Sequence, residues 1–251
     1  MGYTEKDIVE MIETRPMLYQ RACINYAGKT GKEEKKEQRL YTEVIAEYIY
    51  NQLNKQENFL IPDLESIGEL RADFAFTGHD GIKSKSKKKD SDETAEEKSN
   101  RKEEELCLKL FHEKYYWADW GRVVNYQVNL IKNKKININL VAYNEDRKIA
   151  TIIEVKGGEK AETKKYSETL LRCILEIQTY FQILKKNEAG FFNTLSAANE
   201  FGKIIGCKKI GKGVYVPSNS RAAEEYKEMT EGKRPQLKAL FDKFEIDFKL
   251  Y

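Results

Sequence analysis

Residues 136–158 read ININLVAYNEDRKIATIIEVKGG, and the fold turns on how this stretch is taken. Two apolar, β-branched runs flank a short charged turn, the pattern of a β-hairpin. Successive side chains of a strand point to opposite faces, so Glu154 and Lys156 share a face and Val155 turns the other way. A carboxylate therefore stands beside an ammonium at the end of the second strand. Alone, that pair reads as an ion pair on a sheet edge; its neighbours give it more content.

Downstream, Ser167 is placed to cap a helix running to about Leu184, with Leu171, Ile174, Leu175 and Phe181 forming its apolar stripe. Gln178 falls on that stripe and Glu176 points away from it. Further on come a strand over Gly213–Val216, a helix from Arg221 to Phe244 interrupted near Pro235, and a last strand over Glu245–Tyr251. Gly157 and Gly158 let the chain turn out of the strand, since no G-K-[ST] follows to make a phosphate loop.

Upstream, Val123–Leu130 reads as a strand preceding the hairpin. Residues 4–13 form a short helix capped by Thr4, and 14–31, with Pro16, Gly28 and Gly31, a loop. Glu33–Lys55 is helical, with Leu40, Val44, Ile45, Tyr48, Ile49 and Leu53 on one face. Glu43 and Glu47 lie at the margin of that face, either as metal ligands or as a solvated flank. Leu70–Thr77 has strand character and carries Asp73. Residues 83–105 contain no large apolar side chain, which predicts a disordered loop inside the domain. The lysines at 83, 85 and 87–89 make it locally basic. Leu106, Leu108 and Leu110 alternate as in a strand. Tyr115, Tyr116, Trp117 and Trp120 then cluster, suited to covering a sheet or to stacking on bases.

With 251 residues, 40% of them hydrophobic, the chain is long enough for one domain spanning 1–251 with a sizeable core. No apolar run approaches the roughly 20 residues of a membrane helix, and no signal-peptide pattern opens the chain, which predicts a cytoplasmic protein without a membrane partner. Cys23, Cys107, Cys173 and Cys207 are too widely spaced for a zinc cage and read as reduced thiols. Forty-four basic against 41 acidic residues give +3, too balanced to point to nucleic acid by itself. His79 and His112 have no nucleophile-elbow or zinc-like setting, which argues against Ser-His-Asp chemistry.

The order helix, strands, hairpin ending in E-V-K, helix, strand resembles the core of the PD-(D/E)XK nuclease superfamily over roughly Glu33 to Pro217. ETLLRCILEIQTYFQIL after EVKGG is similar to bacterial members of it. The resemblance implies an α/β fold, a central mixed β-sheet flanked by helices with a restriction-endonuclease-like αβββαβ core. It implies Mg²⁺, with Mn²⁺ as a substitute, and hydrolysis of nucleic acid, DNA before RNA, in defence or restriction, with homodimers among the expected assemblies. Glu154 becomes a metal ligand, Lys156 the lysine that orients or activates water, and Gln178 a supporting amide. Two carboxylates suit a hard cation that polarises phosphate, and a lysine stabilises the transition state's charge.

The other metal-binding acid of that superfamily falls on Asn139, fifteen residues before Glu154. An amide carries no charge, so metal affinity and hydrolysis should fall. Three readings stay open: a substitution that traps an inactive form, a natural loss of catalysis giving a silent nucleic-acid-binding or regulatory protein, and an acid displaced to Asp73, Glu43 or Glu47.

Overall fold

The computed structural model describes residues 2–13, 17–20, 22–26, 28–31, 37–61, 68–70, 95–132, 136–157, 168–197 and 206–251. Seven helices and six strands occur among them: α1 (Glu5–Glu13), α2 (Tyr41–Lys55), α3 (Ala95–His112), β1 (Tyr116–Trp117), β2 (Gly121–Asn129), β3 (Asn137–Asn144), β4 (Ile149–Val155), α4 (Leu170–Lys185), α5 (Glu188–Ala197), β5 (Lys209–Val216), α6 (Arg221–Thr230), α7 (Pro235–Phe244) and β6 (Ile246–Leu250). Two short 3₁₀ turns, Leu18–Gln20 and Ala22–Asn25, lie in the stretch expected to be loop.

The strands form one mixed sheet in the order β1 to β6. The hairpin is as expected: β3 and β4 run antiparallel, Leu140 opposite Ile153 and Asn144 opposite Ile149, around the charged turn. α4 then crosses the sheet and returns the chain as β5, parallel to β4, and β6 adds parallel to β5. The architecture is thus α/β, a mixed sheet flanked by helices, and its middle runs helix α3, antiparallel strands β1 to β4, helices α4 and α5, and parallel strand β5.

Each face of the sheet carries its own apolar layer. Ile152, Val141 and Val214 pack with α2, α4 and α7 on one side. Ile153, Val155 and Leu140 pack with Cys107, Leu110 and Phe111 of α3 and with Trp117 and Trp120 on the other. Among the described residues, no helix is long and apolar enough to cross a membrane.

Several expectations need correction. Ala95–His112 is helical, so neither the disordered loop to residue 105 nor a strand at Leu106–Leu110 holds; residues 83–94 lie outside the described residues. The segment is rich in Ala, Glu, Lys and Arg, strong helix formers, and Cys107, Leu110 and Phe111 at i, i+3, i+4 give it a buried stripe. α2 begins at Tyr41 rather than Glu33, because Thr30 N–H donates to the Arg39 carbonyl and Leu40 bridges to Lys29, both extended pairings. α4 is capped by Thr169, whose hydroxyl accepts from Arg172 N–H, and Ser167 lies outside the described residues. α5 was not expected. The strand at Leu70–Thr77 is described only at Leu70, which bridges to Ile131, and Asp73 and His79 lie outside the described residues.

Pro235 does break the long C-terminal helix, standing at the first turn of α7. Trp120 is fully buried, lies over Gly213 of β5 and donates its indole N–H to Asp247 on β6. A Cβ added at Gly213 would stand 2.8 Å from Trp120 Cζ2. Gly213→Ala is therefore expected to cost about 1–3 kcal/mol by overpacking and to lower the melting temperature; an unchanged melt followed by circular dichroism would refute this contact.

Candidate active site

β4 carries the alternation to its end. Ile152 and Glu154 face α4, Ile153 and Val155 face α3, and Lys156, just past the strand, returns to the side of Glu154. Its backbone is pinned there, N–H to the Tyr215 carbonyl and carbonyl to the Tyr251 hydroxyl.

Three carboxylates meet the Lys156 ammonium: Glu154 Oε1 at 2.6 Å, Glu168 Oε2 at 2.7 Å and Glu176 Oε2 at 2.9 Å. Glu168, Arg172, Glu176 and Tyr180 stand four residues apart, so they rise as one row along α4 and the residues before it. Arg172 Nε lies 3.0 Å from Glu168 Oε1, and the Tyr180 hydroxyl donates to Glu176 Oε1 at 2.9 Å. From α3, Glu103 Oε1 accepts the Gly157 N–H at 3.0 Å.

Four carboxylates against Lys156 and Arg172 leave a formal surplus of two negative charges if all ionise. The surplus shifts the ionisation of these groups. Burial, then the Glu176 carboxylate, push Glu154 well above the usual carboxyl range against the pull of Lys156. Burial acts to lower Lys156, but Glu154, Glu168, Glu176 and Glu103 outweigh it and hold the ammonium well above the ordinary lysine value. Burial raises Glu103 to about 7. Burial opposes Glu168 too, yet Lys156 and Arg172 keep that carboxyl below its ordinary value.

Glu154 Oε2 is buried and has no hydrogen-bond partner among the described residues. An orphaned carboxyl oxygen in a cluster where acids outnumber cations fits a bound cation. Among the described residues, no three His, Cys, Asp or Glu side chains already converge as a metal cage; here the carboxylates converge on the ammonium.

Asn139 stands where the hairpin register puts it, reaching β4 one residue beyond Glu154. Its Oδ1 accepts the Val155 N–H at 3.0 Å, taking the place of a ladder carbonyl. The remaining expected residues sit elsewhere. Glu43 Oε2 and Oε1 accept the backbone N–H groups of Gln236 and Leu237, so this α2 side chain caps α7. Glu47 pairs with Arg39 at 2.8 Å. Gln178 is buried against the sheet, but its Oε1 accepts from Lys212 Nζ at 2.9 Å, not from the cluster.

Glu176, expected to point away, is the α4 side chain at the site. The error was to give α4 one buried face. It is buried nearly all round, between the sheet on one side and α5, α6 and the 3₁₀ turns on the other. The four-residue spacing of Glu168, Arg172, Glu176 and Tyr180 was the available signal; nothing in the sequence tied Glu103 to Gly157. Compared with models of known protein families, with characterised proteins and with solved structures, the chain matches none.

Because the Glu103 carboxyl is raised from 4.5 to about 7, the stability it contributes is present below about pH 4.5 and lost as the pH climbs through 7. Glu103→Gln stays neutral and keeps an acceptor for Gly157 N–H. Its melting temperature should fall less than that of the parent chain between about pH 5 and about pH 8; equal slopes would reject the assignment.

Proposed function

We propose that the chain is a metal-dependent nuclease of the PD-(D/E)XK type, hydrolysing phosphodiester bonds of DNA. The observation that carries this reading is the cluster of Glu154, Glu168 and Glu176 around Lys156, at the end of β4, the last antiparallel strand before α4. The orphaned Glu154 oxygen and the surplus negative charge support Mg²⁺ as the cofactor. Glu154, Glu168 and Glu176 would hold it, and when bound it polarises the phosphate and acidifies a water.

The lysine's part follows from its surroundings. Three carboxylates keep Lys156 protonated at neutral pH, so it serves as a hydrogen-bond donor and charge stabiliser rather than a general base. It orients the attacking water and balances charge building on the phosphate oxygens. Arg172 and Tyr180 position Glu168 and Glu176 from behind.

A second reading rests on Asn139. The atom meeting the Val155 N–H must be the amide oxygen, which leaves the NH₂ group, a donor unable to ligate a cation, as the other end. That favours a silent protein that binds nucleic acid without cutting it. An aspartate could accept from Val155 with one oxygen and offer the other to the metal.

Plasmid, single-stranded DNA and RNA incubated with Mg²⁺ or Mn²⁺ separate the two. Asn139→Asp is expected to raise cleavage at least about tenfold, and adding Lys156→Met or Glu154→Gln to abolish the gain, with folding checked by circular dichroism. Salt-sensitive binding with no cleavage by Asn139→Asp would establish the silent reading instead. Neither cleavage nor binding would reject both.

A further inference from the structure

The end of the sheet opposite Lys156 holds a second buried lysine in the reverse condition. Lys212, on β5, is 8% exposed, and among the described residues it is the one buried cation without a carboxylate partner. Lys156 has three carboxylates and Arg234 has Glu228 and Glu225. Two buried acids outside the Lys156 cluster are met by a cation or by backbone donors: Glu43 at the start of α7, and Glu225 at Arg221 and the Leu170 N–H. Lys212 Nζ makes its close contacts with neutral groups, the Gln178 amide oxygen at 2.9 Å and the Phe181 ring, 4.4 Å from its centroid, while the charges of Glu245 and Lys209 act on it in opposite directions.

Lys212 lines a cavity of about 400 Å³ at the starts of β4, β5 and β6. Phe181 and Phe241 give it apolar walls, and Arg147 and Lys209 add two cations. Four acids also line it, but each is engaged: Asp119 with Lys249 at 2.7 Å, Asp242 with Lys238, Glu245 with Lys209 at 3.7 Å, and Asp247 with the Trp120 indole N–H at 3.3 Å. Lys209 thus answers Glu245 and Asp247 has only a neutral donor, while Lys212 is the buried cation of this lining that no carboxylate pairs.

We propose that this cavity is an anion-binding site, taking a small organic carboxylate or phosphate ester whose charge rests on Lys212 Nζ and whose apolar body lies against Phe181 and Phe241. Either anion would form a charge-assisted hydrogen bond with a desolvated ammonium and give it the counter-ion that its protein neighbours do not supply. Burial pulls the Lys212 ammonium down to about 8, a cost a folded chain tolerates where a ligand repays it. The site lies away from Glu154 and Lys156 and is independent of the nuclease reading.

Benzoate, phenyl phosphate and neutral benzyl alcohol, of similar apolar size, test it by thermal shift and calorimetry on the full chain. The two anions should raise the melting temperature and bind, and benzyl alcohol should not. Whichever anion binds tighter identifies the ligand's head group. Lys212→Met removes the unpaired charge, so without ligand it should melt a few degrees higher than the parent near neutral pH, while its anion affinity falls at least about tenfold. Anion shifts of equal size in Lys212→Met, equal response to benzyl alcohol, or no response in the parent chain would each overturn the proposal. Should Lys212→Met misfold, the lysine side-chain NMR signals of the parent decide instead: titrated benzoate must move that of Lys212.

Discussion

The Lys156 ammonium is the positive charge through which two buried carboxylates, Glu154 and Glu176, and the half-buried Glu168 are brought within hydrogen-bond distance. Take it away and anions on β4 and along α4 face one another in a low-dielectric interior, where an unpaired ion costs several kcal/mol. The same contact sets α4 over the end of β4, and with α4 placed the chain returns as a strand parallel to β4. Fold and candidate site therefore rest on one interaction. The pairing is incomplete, however: the acids outnumber the cations, and Glu154 is held far from its usual ionisation. A divalent cation would relieve what Lys156 cannot.

Lys212 makes the contrast at the other end of the sheet. Both lysines project toward α4 and both are buried, yet carboxylates drive one ammonium up while desolvation drives the other down. Burial alone does not decide a lysine's charge; its neighbours do. α4 supplies neighbours to both, Glu176 to Lys156 and Gln178 to Lys212, two residues apart on a helix that presents different sides to different parts of the sheet. The amide expected to support the site instead serves the lysine that has no acid.

The hairpin, the crossing helix, the parallel strand after it and the break at Pro235 were legible because each rests on local chemistry: a two-residue alternation, a helical stripe, a ring that cannot continue a helix. The acidic stretch leading into Leu106 was misread because its large apolar residues, from Leu106 on, come only at its end and leave little periodicity over the rest of its sequence. Glu43 was misread for a different reason. Its position on the margin of an apolar face was correct, but its partners, the N–H groups of Gln236 and Leu237, lie almost two hundred residues away.

By itself the sequence determined that Glu154 and Lys156 share a face, that Asn139 stands across the hairpin from them, and that a helix follows. Strand pleat and helical period act over a few residues and are written in the residues themselves. Only the tertiary structure decided that Glu103, Glu168 and Glu176 join them, that Asn139 spends its oxygen on a backbone N–H, that Glu47 turns to Arg39, and that Lys212 is left without a counter-ion. Which charges meet in an interior depends on how separate elements pack, and desolvation makes those meetings matter.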